Sequence, residues 1–179
     1  MSGTRRTVVA LFVALVPALI LGGCAEAAPT GPTLSTTKGP AQLLRNEVAD
    51  RVPPATVDQI ADPIDESIAC GDNGNKRAWR SSVLMFVAPD AAWRIESIAE
   101  DLSTSLVEQG WAATVNESSP SIAQTTLKNA ATNAVINLTV TQPVDEDGNG
   151  ATLAIAADGP CVVTDGPDCD EVKKLDGRA

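Results

Sequence analysis

The sequence predicts an α+β domain, in which helices pack on one face of an antiparallel β-sheet of about four to five strands. Apolar residues recur at three- or four-residue steps in the first part of the chain and at residues 95–106, which is typical of helices. Later they alternate with polar residues, which is typical of half-buried strands. The late strands are joined by connections too short for a crossover, so neighbouring strands must be antiparallel.

Two helices are expected ahead of the sheet. The first begins at Gly39-Pro40, because proline is favoured at the first helical position, and it ends at Pro53-Pro54. Its apolar stripe is Leu44, Val48 and Val52. The second helix starts with capping-box spacing at residues 56–59, and Pro63 makes it short or bent. Its apolar stripe is Val57, Ile60, Ile64 and Ile68.

A strand and a third helix follow the Gly- and Asn-rich loop at 70–76. Residues 80–88 form the strongest predicted strand, because their apolar run is continuous. Asp90 is expected to cap the next helix, and Gly110 is expected to end it. The apolar stripe of this helix is Ile95, Ile98, Ala99, Leu102 and Leu106.

The remaining strands are expected at 111–115, 122–127, 135–141 and 152–157, with a hairpin loop between the last two. These elements place the globular domain at 39–162. Residues 163–179 are charged and Gly-rich, so a polar tail is expected there.

The N-terminus has the pattern of an export signal. Arg5 and Arg6 precede an apolar run at 8–21, which is shorter than the ~20 residues that span a membrane. Leu21-Gly22-Gly23-Cys24 resembles the bacterial lipobox. The resemblance implies a signal peptide at 1–23, cleavage between Gly23 and Cys24, and diacylglycerol on the Cys24 thiol, with palmitate as an expected fatty acid of the anchor. An ordinary secretory signal is the alternative, and the route, Sec or twin-arginine, stays open.

The lipid implies a location. Two acyl chains would hold the protein on the extracytoplasmic face of the cell membrane, with 24–38 as an Ala-, Pro- and Thr-rich tether. The net charge of −10 becomes −12 without residues 1–23, which contain two arginines and no acids. Such a charge argues against a nucleic-acid partner, because phosphate binding needs a basic surface.

The composition also argues against most enzyme classes. The chain contains no histidine and no tyrosine, which excludes Ser-His-Asp catalysis and imidazole zinc sites. We therefore expect no enzyme, catalytic residue, cofactor or metal, and a carboxylate-based hydrolase is the remaining catalytic alternative. Residues 145–150 resemble the start of an EF-hand loop, but Ala156 stands where the ligating Glu is required, so a hairpin turn is expected.

Three cysteines remain if Cys24 carries lipid. Outside the cytoplasm, cysteines are expected to pair. Cys70–Cys161 is favoured, because Cys70 shortly precedes the first strong strand and Cys161 shortly follows the last. Pairing of Cys169 with either residue stays open, and Cys169 is otherwise the spare thiol.

One candidate binding patch is concentrated enough to single out. Trp79 lies between Arg77 and Arg80 in an otherwise acidic chain, and Trp and Arg are favoured at interfaces. Packing of Trp79 into the core is the alternative.

The mature chain resembles the small lipoproteins of actinobacterial cell envelopes. The resemblance is carried by the lipobox, the tether, the Gly110-Trp111 junction and the closing Gly159-Pro160-Cys161-Val162. It implies a membrane-anchored, non-enzymatic binding or accessory module with an envelope protein or cell-wall partner. The alternative function is a small-molecule or lipid carrier with a pocket between the sheet and the helices.

Overall fold

The computed structural model describes residues 31–179 except 72–74, 120, 146, 148–149, 167–168 and 178–179. The expected signal peptide, its cleavage site at Gly23, Cys24 and the tether up to residue 30 lie outside the described residues. Residues 31–179 form one compact unit. Within the described part of the chain, no helix is long and apolar enough to cross a membrane.

Three α-helices and eight β-strands make up this unit. The helices are α1 (Leu34–Ala49), α2 (Ile95–Glu108) and α3 (Asp170–Leu175). Short 3₁₀ helices cover Pro54–Thr56 and Pro89–Arg94. The strands are β1 (Val57–Ile60), β2 (Ile64–Ala69), β3 (Lys76–Val87), β4 (Ala112–Ser118), β5 (Ile122–Lys128), β6 (Val135–Thr141), β7 (Thr152–Asp158) and β8 (Val162–Val163).

All strands belong to one antiparallel sheet with the order β1-β3-β7-β6-β5-β4. The twelve-residue β3 is long enough to pair with two strands on each edge. One edge pairs with β1 and β2, and the other pairs with β7 and β8. The α+β class and the antiparallel sheet agree with the sequence prediction, but eight strands exceed the four to five expected.

The predicted second helix is wrong, because residues 57–69 form β1 and β2 instead. Val57 and the three isoleucines of its supposed stripe are β-branched and favour extended backbone. Pairing with β3 satisfies the backbone of both strands, and Pro63 lies in the gap between them. Ile60 and Ile64 are largely exposed, so of the expected stripe these two residues do not face the core, whereas Val57 packs against it.

Three helix boundaries also differ from the sequence prediction. The first helix starts at Leu34, inside the expected tether, with Pro40 in its interior. Pro40 lacks the N–H for one helical hydrogen bond, but complete burial of Leu34 favours the additional turns. Asp90 lies in a 3₁₀ turn and does not cap α2, which Arg94 precedes. The expected polar tail contains α3, because its Val172 is fully buried.

The core lies between α1, α2 and one face of the sheet. Alternate residues of the central strands point into it, so burial repeats every second residue in β3, β6 and β7. Helix α2 contributes the predicted residues Ile95, Ile98, Leu102 and Leu106. A second, smaller cluster packs under the start of α1 and consists of Leu34, Ala41, Trp79, Val162 and Val172.

Gly159 allows α1 to approach the connection between β7 and β8. A Cβ atom at this position would lie 2.7 Å from the Thr37 carbonyl oxygen, which belongs to the α1 backbone. Because backbone cannot move aside as a flexible side chain can, only glycine fits here without a shift of the helix.

We predict that Gly159→Ala destabilises the protein by about 1–3 kcal/mol, as overpacking of a well-packed site does. The measurement is the free energy of unfolding in urea. Gly39→Ala is the matched control, because no atom beyond its chain neighbours lies within 4 Å of a Cβ built at Gly39. Alanine is the better helix former, but Pro40 disfavours a helical residue with a Cβ before it, so the control should change the stability by less than about 1 kcal/mol. Equal unfolding free energies for Gly159→Ala and the wild type would contradict the close approach.

Candidate functional site

The candidate residues Trp79, Arg77 and Arg80 do not form a surface patch. Trp79 is 1% exposed beneath α1, with the Lys38 ammonium 4.7 Å from its ring centroid. Arg77 donates hydrogen bonds to the Ser67 carbonyl and hydroxyl at 2.7 and 2.8 Å. All three side chains are therefore engaged within the domain.

Arg80 forms a two-pronged ion pair with Asp158 across the β3–β7 seam. The guanidinium donates to both carboxylate oxygens, at 2.6 and 2.8 Å, and the two residues lie directly opposite in the register. These hydrogen bonds raise the pKa of Arg80 further above its usual range. Desolvation by burial acts in the opposite direction, and the charges of Asp158 and Glu66 raise the pKa as well. Asp158 is almost completely buried, so the pair links the two strands.

A polar cluster lies between α1 and strands β2 and β3. The Arg45 guanidinium is 8% exposed and donates to the Ser81 hydroxyl at 2.7 Å. Asp65, which pairs with Ser81 in the sheet register, accepts a hydrogen bond from the Gln42 amide at 2.6 Å. Arg45 and Gln42 of α1 therefore form polar contacts with strands β3 and β2 of the sheet.

The carboxyl group of Asp65 is held in its charged form. Burial alone raises its pKa, but contacts with the Ser81 hydroxyl and the Gln42 amide act in the opposite direction. The Trp79 indole N–H and the charge of Lys38 also lower the pKa of Asp65. Together these contacts outweigh the effect of burial, and the pKa of Asp65 lies below its usual value of 3.8.

The cysteines pair as favoured from the sequence. Cys70 and Cys161 are joined by a disulfide, with their Cα atoms 6.0 Å apart and 91 residues between them in sequence. Cys169 is a free, half-buried cysteine that packs against the cluster under α1. Of the EF-hand-like segment, residues 146, 148 and 149 lie outside the described residues. Among those described, no group of three His, Cys, Asp or Glu side chains could hold a metal ion.

A groove of about 600 Å³ lies between α2 and the outer half of the sheet. We call it the α2 groove. Its lining comes from α2 and from strands β4, β5 and β6. The lining residues are Glu96, Ala99, Glu100, Ser103, Thr104, Ala113, Val115, Ala123, Thr125, Leu138 and Val140.

Small side chains create this groove. The core stripe of α2 packs against the sheet, and Ala99, Ser103 and Thr104 lie beside this stripe on the wall of the groove. Ala113 and Ala123 face this stripe from β4 and β5. None of these side chains is long enough to fill the space, and Val115 at the edge remains 70% exposed.

The two ends of the α2 groove differ in chemistry. Its floor contains the buried Leu138 and Val140. Glu96 and Glu100 line the wall at the N-terminal half of α2, one helical turn apart and both exposed. The hydroxyl-bearing Ser103 and Thr104 line the wall further along the helix.

Comparisons with protein-family models, with curated proteins and with solved structures found no match for this chain. Its candidate site therefore stands on its geometry. The sequence suggested a pocket between sheet and helices only as an alternative, and it identified none of the groove residues as binding residues. Ala99 was expected only as part of the apolar stripe of its helix. The signal was present in α2, where small and polar residues at three- and four-residue steps run beside the apolar stripe.

We predict that Asp65→Asn destabilises the protein at neutral pH and has a smaller effect in acid. Because the folded-state pKa of Asp65 is lowered, its carboxylate stabilises the fold above the unfolded-state pKa. That contribution is lost as the pH falls through the folded-state pKa. The measurement is the free energy of unfolding in urea at pH 7 and at about pH 3.

The control is Asp62→Asn, which alters an exposed carboxylate in the nearby connection between β1 and β2. It should change the unfolding free energy little at either pH. If Asp65→Asn lowered the stability equally at both pH values, the charged form of Asp65 would not be what its neighbours stabilise.

Proposed function

We propose that the protein is a lipid-anchored, extracytoplasmic binding protein that holds an apolar or amphipathic small molecule in the α2 groove. The observation that carries the proposal is the groove itself, with its volume of about 600 Å³ and its floor of aliphatic side chains. Sites for small molecules are concave, mostly apolar and of this size. A binding role is also supported by the lack of histidine, the usual general base near neutral pH.

The anchor fits this role. The lipobox-like Leu21-Gly22-Gly23-Cys24 supports attachment of diacylglycerol to Cys24, and α1 begins ten residues later at Leu34. A chain of that length reaches at most ~35 Å, so the domain would stay close to the lipid surface. A carrier held there can exchange an amphipathic ligand with the membrane without diffusing away.

An accessory role with an envelope protein or cell-wall partner remains the second candidate. It is favoured by Trp93, which is 78% exposed with Arg94 stacked 5.8 Å from its ring centroid. Exposed Trp and Arg side chains are typical of interface hot spots. Trp93 and Arg94 thus offer the exposed Trp and Arg side chains that the sequence suggested at Trp79, which is buried.

The anchor is tested by Cys24→Ala. We expect the variant to remain uncleaved and without lipid, because the modified thiol is the feature on which processing of a lipobox depends. Metabolic labelling with a palmitate analogue and the mass of the purified chain measure this. Cys169→Ala should be processed normally, and processing of Cys24→Ala with attachment of lipid would contradict the anchor.

The groove is tested by Ala123→Leu, which places a larger side chain on its floor. The mature, lipidated protein in phosphatidylcholine nanodiscs would be photolabelled with a neutral dodecanol that carries a diazirine, and labelled residues mapped by mass spectrometry. We expect labels on α2, β4 and β5, and a yield at least about fivefold lower in Ala123→Leu, because an occupied cavity excludes ligand.

The matched control is Ala156→Leu, which adds the same atoms to β7. Ala156 lies opposite Asn137 and Ser82, on the sheet face that points away from the helices. Its labelling should equal that of the wild type. Unchanged labelling in Ala123→Leu, or labels spread evenly over the surface of the wild type, would reject the α2 groove as the ligand site.

A further inference from the structure

Resting on the proposed function, we propose that the ligand of the α2 groove is a cationic amphiphile. Its ammonium group would lie against Glu96 and Glu100, and its apolar body would lie along the accessible apolar lining, which consists of Ala99, Ala113, Val115 and Ala123. The inference follows from how charge and apolar surface are distributed along the groove.

The charge that lines the groove has one sign. Glu96 and Glu100 are four residues apart on α2, so their carboxylates lie on the same side of the helix. No lysine or arginine is among the residues that line the groove in the described structure. The nearest cation in sequence, Arg94, lines a separate cleft of about 260 Å³ with Arg51 and Asp101. An anionic headgroup would therefore meet two carboxylates without a counter-charge.

The apolar surface begins where the charge ends. Ala99 lies between the two glutamates on the helix wall, and Ala113 and Val115 face it from β4. From Glu96 to Thr104 the helix rises ~12 Å, since each residue adds ~1.5 Å. The groove thus offers an acidic end, an apolar floor and a hydroxyl-bearing end, which together match an amphiphile with one cationic head.

Ammonium is the cation that this arrangement favours. Two carboxylates one turn apart can both accept hydrogen bonds from one group with several N–H donors. A bare metal ion would leave the apolar floor uncovered, and a neutral alcohol would leave the carboxylates without a charged partner.

The test compares two photolabels that share one chain and one diazirine and differ only in the headgroup, a dodecylamine and a dodecanoic acid. The mature, lipidated protein is held in phosphatidylcholine nanodiscs, whose net charge is zero, at 0.15 M salt so that long-range attraction is screened. We expect half-maximal labelling of the α2 groove at a roughly tenfold lower concentration of the amine, since two partly exposed charge pairs supply about that preference.

Variants that remove the charges of Glu96 and Glu100 show whether these residues cause the preference for the amine. Glu96→Gln with Glu100→Gln should bring the two labels to within about twofold of each other. The control, Asp62→Asn with Glu108→Gln, removes two exposed carboxylates that do not line the groove and should keep the preference. Circular dichroism melting curves would show that all four substitutions leave the fold intact.

Each result separates the two proposals. Equal labelling of the wild-type groove by both probes, still lost in Ala123→Leu, overturns the cationic ligand and leaves the proposed function in place. If the preference for the amine persists in Glu96→Gln with Glu100→Gln, or disappears in the control variant, the two glutamates are not its cause. Either result overturns the inference. No labelling of the groove by either probe overturns the inference and the proposed function together.

Discussion

The seam between β3 and β7 is the contact on which the rest of the structure depends. In the described part of the chain, the strands at residues 57–87 and those at 112–158 form two groups of paired strands, and this seam joins them. The Arg80–Asp158 pair lies within the seam, and the Cys70–Cys161 disulfide lies beyond its end. Helix α1 packs over the same two strands, so covalent, ionic and apolar contacts all reinforce one line of pairing.

The groove arises from small side chains between α2 and the outer strands. Six strand positions from β1 to β4 cover about 24 Å, since neighbouring strands lie ~4.8 Å apart. Helix α1 packs over β3 and β7, and α2 lies over the outer part of the sheet, where it contacts β4, β5 and β6. Because Ala99 of α2, Ala113 of β4 and Ala123 of β5 are small, space is left between this helix and the strands.

Local periodicity was sufficient to predict the elements that depend on it. The third predicted helix and the strands at 122–127, 135–141 and 152–157 lie where expected, because their apolar patterns match the burial in the final fold. The failure at 57–69 has a different origin. Spacing of Val and Ile by three and four residues fits both a helical stripe and a pair of short strands, and only the position of β3 decides between them. The start of α1 and the helix around Val172 depend likewise on partners distant in sequence.

The stabilising contacts and the proposed binding groove lie on different halves of this sheet, and only residues of the first kind could be identified from the sequence. Trp79 and Arg80 stand out in the chain because large and charged residues are conspicuous, and the fold uses both for packing and pairing near the seam. A groove, in contrast, forms where side chains are too small to fill the space between a helix and the sheet. Ala113 and Ala123 carry no local signal, and they line a groove only when α2 is placed over β4 and β5. Because that surface lies away from the disulfide and from Arg80–Asp158, its side chains can change without loss of the pairing that holds the domain together.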